Sequence, residues 1–258
     1  MNGIIVLPLV PIRENDSERS ELYSQLLFGE RVKIIETRER WLFIRNLTDQ
    51  YTGWVDRKMV HLLSPLEDEQ LLRATSYTVT VPIVRCDKIT SKEKMSLPGG
   101  SIIYTDDPGR FTIGKEDYSL ELPEQTAPEE IVGERLVRFA RQYLNAPYLW
   151  GGKSIFGIDC SGLVQVLYAM CGISLPRDAS EQVDHGQVVD FISEAKAGDL
   201  AFFENPFGRI IHVGILLNYH QIIHASGWVK IESIDSQGII STQTGEYTHN
   251  LRIIKRLI

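Results

Sequence analysis

Apolar and polar positions follow a short period through the first 120 residues and a longer one afterwards. Val32–Glu36 and Trp41–Arg45 are short β-favouring runs, and the charged Thr37-Arg38-Glu39-Arg40 between them reads as a turn. Thr52-Gly53-Trp54-Val55 follows a further turn. Short strands at this close spacing predict a small barrel. From Leu72 to Leu120 the character repeats, with Tyr77–Val81 and Ser101–Tyr104 as strands and Pro98-Gly99-Gly100 and Asp107-Pro108-Gly109 as turns. The two stretches do not align as a strict internal repeat.

The period then lengthens. Ile131, Val132, Leu136, Phe139, Ala140, Tyr143 and Leu144 recur at three- and four-residue steps, which predicts an amphipathic helix ended by Asn145-Ala146-Pro147. A second helix fits Cys160 to Met170, with Gly172 as its closing residue. Leu200–Phe203, Ile210–Leu217 and Gln221–Ala225 are strand candidates. Helices before strands is an α+β order. Two acidic, proline-containing stretches, Ser64–Gln70 and Glu121–Glu130, look like boundaries. They divide the chain into residues 1–66, 71–124 and 128–258.

Composition narrows the possibilities. The chain has 258 residues, 43% of them hydrophobic and 24% charged, which is ordinary globular composition. Its formal net charge is −7, and no concentrated basic run offsets it, so nucleic acid and anionic membranes are not expected partners. No run of apolar residues reaches the length of a transmembrane helix. The apolar Ile4–Val10 is interrupted by Pro8 and lacks a preceding Lys or Arg and a following cleavage site. A cytoplasmic protein is therefore expected if Met1 is the native start, and an exported one otherwise. Three cysteines, Cys86, Cys160 and Cys171, argue against a disulfide framework. Cys160 and Cys171 stand roughly 16 Å apart on one helix, too far to bridge. No CxxC or HExxH spacing suggests a metal site, and no cofactor is expected.

Candidate chemistry centres on Cys160, at the expected start of a helix within Gly157-Ile158-Asp159-Cys160-Ser161-Gly162. Helix-terminal amides stabilise a thiolate. On position alone, the residue reads equally as a nucleophile or as a small buried hydrophobe. The histidines shift that balance. His212 and His224 each sit in an otherwise apolar strand candidate, joined by a turn around Asn218-Tyr219-His220. Residues 12 apart share a face if the loop is odd or a bulge intervenes. One imidazole can then deprotonate a thiol while the other orients it. His61, His185, His220 and His249 read as surface or loop residues, and Cys86 as structural. Asp159 before the cysteine should raise the thiol pKa unless a cation answers it, or it simply caps the helix.

The succession Leu144–Gly152, Asp159-Cys160-Ser161-Gly162-Leu163, Leu175–Gln182, Ala197–Phe203, His212-Val213-Gly214-Ile215 and Ile223-His224-Ala225 resembles the NlpC family of cell-wall cysteine peptidases. The resemblance covers about Glu130 to Ile258. It implies an α+β, papain-like catalytic domain that cuts the γ-D-glutamyl–diamino acid bond of murein peptides. By motif position it implies Cys160 as nucleophile, His212 as base and then acid, His224 as orienting residue and Tyr148 near the scissile carbonyl. The N-terminal half is similar to bacterial SH3-like modules, on Gln25–Glu30 and Tyr51-Thr52-Gly53-Trp54-Val55. The implied architecture is two small all-β SH3-like barrels before the catalytic domain.

This order resembles the murein-recycling dipeptidyl peptidases, which release L-Ala-D-Glu from peptides with a free L-Ala amine. It implies Glu21 and Tyr51 of the first module, with Asp159, Ser161 and Ser180, as substrate-binding residues. Two other functions compete. One is an exported hydrolase acting on intact wall, with the SH3-like modules as tethers. The other is a binding protein on a peptidase scaffold, which an intact Cys160, His212 and His224 set disfavours.

Overall fold

The computed structural model describes residues 1–107, 109–121 and 131–258, which fall into two compact units, Met1–Gln125 and Thr126–Ile258. In the first unit, β1 (Asn2–Ile5), β2 (Leu9–Arg13), β3 (Leu22–Leu27), β4 (Arg31–Arg38), β5 (Trp41–Asn46), β6 (Thr52–Asp56) and β7 (Val60–Leu62) form one sheet in the order β3-β2-β6-β5-β4-β1-β7. All its pairings are antiparallel. Ile5, Val10, Ile12, Leu26, Val32, Leu42, Ile44 and Val55 point inward and fill its core. The turn between β4 and β5 is tighter than the sequence suggests, with β4 running on to Arg38.

The acidic stretch after Leu63 is a helix, α1 (Pro65–Arg73), inside this unit. The boundary reading missed its start signal. Ser64 accepts from the Glu67 N–H while the Glu67 carboxylate accepts from the Ser64 N–H, and Pro65 opens the first turn. None of its residues is buried, so apolar periodicity carries no trace of it.

Two further sheets follow. β8 (Ser76–Thr78) pairs with β11 (Ile102–Tyr104). β9 (Ile83–Lys88), β10 (Glu93–Pro98), β12 (Arg110–Ile113) and β13 (Glu116–Leu120) form a sheet in the order β10-β9-β13-β12. β8 is shorter than the expected Tyr77–Val81; past its end Val79 still donates to the Ser101 carbonyl at 2.8 Å and accepts from the Gly100 N–H at 2.9 Å, and its side chain enters a core with Ile4, Phe28, Cys86, Leu97 and Ile103. Cys86 lies fully buried in that core, and burial pushes its thiol up to about 12. Of the second boundary stretch only Glu121 is described, and residues 122–130 lie outside the described residues, as does Pro108 of the Asp107-Pro108-Gly109 turn.

The second unit begins with α2 (Val132–Arg141), which buries Leu136, Phe139 and Ala140. It ends three residues before the periodicity does. Tyr143 and Leu144 continue as turns up to Asn145, whose φ of 68° takes the chain out of helical geometry. A short hairpin, β14 (Lys153–Ser154) and β15 (Gly157–Ile158), leads into α3 (Cys160–Met170) and the single-turn α4 (Ala179–Gln182). α3 is apolar nearly all round, so it runs through the core and packs against α2 and the sheet.

The sheet comprises β16 (Gln187–Val189), β17 (Leu200–Glu204), β18 (Ile210–Asn218), β19 (Gln221–Ser226), β20 (Trp228–Ile234), β21 (Gly238–Ile240) and β22 (Tyr247–Arg256). Six of these close into a barrel in the order β22-β17-β18-β19-β20-β21, through an added β21–β22 pairing. β16 extends β22 at its C-terminal end. A first unit built mainly of strands is thus followed by an α+β second unit.

Candidate active site

Cys160 is the first residue of α3 and is 7% exposed. Asp159 is the helix cap, its Oδ1 accepting from the Gly162 N–H at 2.7 Å. Position 162 has to be glycine, because a Cβ there would stand 2.3 Å from the Gly152 carbonyl oxygen and 2.9 Å from Asp159 Oδ1. The other carboxylate oxygen accepts from the Gly151 N–H at 2.8 Å. The cation that a buried aspartate needs comes from the chain itself. Arg177, 1% exposed, donates through Nη1 to Oδ1 at 3.0 Å and through Nη2 to Oδ2 at 2.6 Å. Nη1 also donates to Ser161 Oγ at 2.9 Å. Ser161 is therefore part of the network under the helix start.

The two histidines meet because of one extra residue. β18 and β19 pair as Asn218 with Gln221 but as Ile215 with Ile223, with a bulge between. Without the bulge, Ile215 would face His224, and His212 would point to the opposite side of the sheet. With it, Gly214 stands across from His224 and His212 lies on the same face one diagonal away. His212 Nε2 is 2.9 Å from His224 Nδ1. The diagonal continues into β20. His224 faces Lys230, and Glu232, two residues on, sets its Oε2 2.9 Å from His224 Nε2. His212, His224 and Glu232 are all buried.

Backbone N–H groups of Val213, next to His212, and of Ser161 lie within bonding reach of the Cys160 sulfur. Burial pushes this thiol up to about 11 and Asp159 adds to the shift, while those amides and Arg177 oppose it. Burial holds His212 well below the usual imidazole range, and lowers His224 against the pull of Glu232. Burial alone would raise Glu232, but the bonds from His224 and Thr242 and the charges of His224 and Lys230 bring it down to about 2. The resting site is a neutral thiol and neutral imidazoles above an ionised glutamate.

Tyr148 is half-buried, its N–H donating to the Gly227 carbonyl. Burial and the nearby Cys160 and Asp159 raise its phenol to about 12, so it stays a hydroxyl beside the thiol. Ser180 sits exposed on α4. Glu21, exposed before β3, and Tyr51, half-buried before β6, belong to the first unit.

His249 is not a surface residue. It lies half-buried on β22 and stacks on His212, ring centroids 4.2 Å apart at 29°. Burial and the neighbouring His224 hold it at about 4. Its strand is polar at that end and has no alternating pattern, so the sequence alone reads it as a surface or loop residue.

Residues 145–248 match the NlpC/P60 family, and residues 12–59 match the bacterial dipeptidyl-peptidase SH3 domain. The chain thus carries a segment similar to the NlpC/P60 family in its second unit and one similar to that SH3 domain in its first. Among the relatives, a dipeptidyl-peptidase 6 from Lysinibacillus sphaericus is 28% identical over 92% of the chain and 93% of its own length. A gamma-D-glutamyl-L-lysine dipeptidyl-peptidase from Bacillus subtilis is 25% identical over 79% of the chain and 72% of its own length. The crystal structure of an NlpC/P60 family protein from Bacillus cereus shares the fold, with a TM-score of 0.81 at 18% identity over 100% of this chain and 99% of that one.

Sequence reading missed three residues of the second unit that touch the site: Arg177, Glu232 and His249. Glu232 carried a signal. In Trp228–Ile234, Lys230 and Glu232 take alternate positions in a strand beside His224, and two adjacent charges on one face of a core strand mark a polar site.

Proposed function

We propose that this chain is a cysteine peptidase hydrolysing the γ-D-glutamyl–diamino acid bond of murein peptides with a free N-terminal L-Ala, releasing L-Ala-D-Glu. The carrying observation is Cys160 at a helix start beside the buried His212–His224 pair, in a chain that also matches the dipeptidyl-peptidase SH3 domain. The relatives that match most of the chain are named for dipeptidyl-peptidase activity, one of them on a γ-D-glutamyl-L-lysine bond.

In this reading the His212 imidazole takes the thiol proton as sulfur attacks the γ-carbonyl of D-Glu. Amides at the start of α3 and the Tyr148 hydroxyl receive the oxyanion. His212 then returns its proton to the departing amine, and water attacks the thioester by the same base to free L-Ala-D-Glu. The protonated His212 is transient, which suits an imidazole whose burial disfavours charge.

Mass spectrometry of products from L-Ala-γ-D-Glu-diamino acid peptides, with and without an N-acetyl block, tests this reading. The free peptide should give L-Ala-D-Glu and the blocked one should be slow. Equal cleavage of both, or attack on intact murein, would favour an exported wall hydrolase with SH3-like tethers.

A further inference from the structure

Glu232, His224 and His212 occupy successive diagonal positions on β20, β19 and β18, with one hydrogen-bond distance of 2.9 Å at each step. Donor and acceptor counts fix where the protons sit. The Glu232 carboxylate only accepts, so the proton between it and His224 is on Nε2. A neutral imidazole carries one N–H, so His224 Nδ1 is a lone pair. It can face His212 Nε2 at 2.9 Å only if that nitrogen carries its own proton. The remaining nitrogen of His212, Nδ1, is then the lone pair.

We propose that Glu232 is a positioning residue for this reaction: it sets the tautomers of both histidines and so leaves His212 Nδ1 as the base that serves Cys160. The proposal rests on the assignment of Cys160 and His212 made above, and adds a residue outside the nucleophile–histidine–histidine set. The carboxylate is held in one orientation. Thr242 donates to Oε1 from its N–H at 3.0 Å and its hydroxyl at 3.3 Å, and Lys230 Nζ stands 3.4 Å from Oε2. Glu232 is 2% exposed, so no water-facing rotamer competes. Of the other titratable groups facing His224, His249 lies with its ring centroid 5.7 Å away and is half-buried.

The Thr242 bonds make Glu232→Gln a sharp test. The amide oxygen is drawn to the Thr242 N–H, which turns the amide NH2 toward His224. That group donates, so His224 must present a lone pair at Nε2 and a proton at Nδ1. The proton on Nδ1 points at His212 Nε2 and drives the His212 proton to Nδ1, where it blocks the base.

The direct measurement is 15N NMR of histidine-labelled full-length protein at neutral pH. Wild type should show His212 with protonated Nε2 and bare Nδ1, and Glu232→Gln the reverse. Peptide hydrolysis by Glu232→Gln should fall on the order of 10²- to 10⁴-fold in kcat, the scale of a base held in the wrong tautomer, with KM little changed. A wild-type His212 protonated at Nδ1 overturns the proposal even if the variant fails to fold. So does a folded Glu232→Gln protein that keeps its tautomers, or its kcat within about threefold of wild type. If wild type leaves γ-D-glutamyl peptides uncut, the substrate reading fails while the tautomers still decide the role of Glu232.

Discussion

Arg177 closes on Asp159 as a fork, Nη1 to Oδ1 at 3.0 Å and Nη2 to Oδ2 at 2.6 Å, directly beneath the residue that begins α3. Both side chains are nearly inaccessible, so each charge depends on the other. Removing one partner leaves an uncompensated buried charge, which typically costs about 3–5 kcal/mol. Arg177→Met should therefore lower the urea midpoint of the papain-like domain, followed by near-UV circular dichroism. It should also slow Cys160 alkylation, since Arg177 then no longer offsets the rise that Asp159 causes. Asp159→Asn in the same protein should recover part of both losses. An Arg177→Met protein as stable as wild type would show that the pair is idle.

The thiol itself gives a second test. Burial and Asp159 raise Cys160 to about 11, and burial lowers His212, so the free enzyme holds a thiol and not a preformed ion pair. The thiolate is the reacting species. Below its pKa, its fraction climbs about tenfold per pH unit. Iodoacetamide labelling of Cys160, located by peptide mapping, should therefore keep rising from pH 7 to 10. A rate that levels off by pH 6 would mean a thiolate–imidazolium pair at rest. Cys160→Ala should abolish hydrolysis with the fold retained.

Acid should weaken the papain-like domain before it weakens most carboxylate-rich folds. His212, His224 and His249 all have folded pKa values below 6.5, so the unfolded chain binds more protons as pH drops past that value. Their contribution is complete above 6.5 and is lost as pH falls. His212 and His224 can each add a slope of about 1.4 kcal/mol per pH unit. Glu232 adds a further loss between 4.5 and about 2. The urea midpoint should thus fall measurably between pH 7.5 and 5. A flat midpoint over that range would contradict burial of the histidines as neutral groups.

These networks also show what a sequence can and cannot reveal. α3 was legible to its end residues because its apolar run, its cap and its closing glycine agree. β17, β18 and β19 were legible because each is an apolar run bounded by polar turn residues. His212 and His224 could be paired only conditionally, because a bulge near Leu217 leaves no local signature among apolar residues. Arg177 lies within the Leu175–Gln182 motif, yet its partner lies 18 residues away, and nothing between them records that the chain folds back. α1 and the His249 end of β22 escaped for the opposite reason. They are held by caps and ladder bonds, and neither follows an apolar period.

Gly214 joins the bulge to the chemistry. It stands across from His224, and a Cβ built on it would lie 2.9 Å from His224 Cβ and 2.7 Å from Ile222 Cδ1. The isoleucine methyl can swing aside. His224 cannot, because both ring nitrogens are engaged, one with His212 and one with Glu232. Gly214→Ala should therefore push His224 away from β18 and loosen its bonds to both neighbours. Overpacking of this kind costs about 1–3 kcal/mol, which a well-packed barrel can absorb. Catalysis tolerates far less, since a misplacement near 1 Å can cost on the order of 10²-fold. The expected result is a folded protein with a modestly lower melting temperature, kcat reduced by more than tenfold and KM close to wild type. Full kcat in Gly214→Ala would mean that the diagonal from His212 to Glu232 has slack, and that its hydrogen-bond geometry does not limit the reaction.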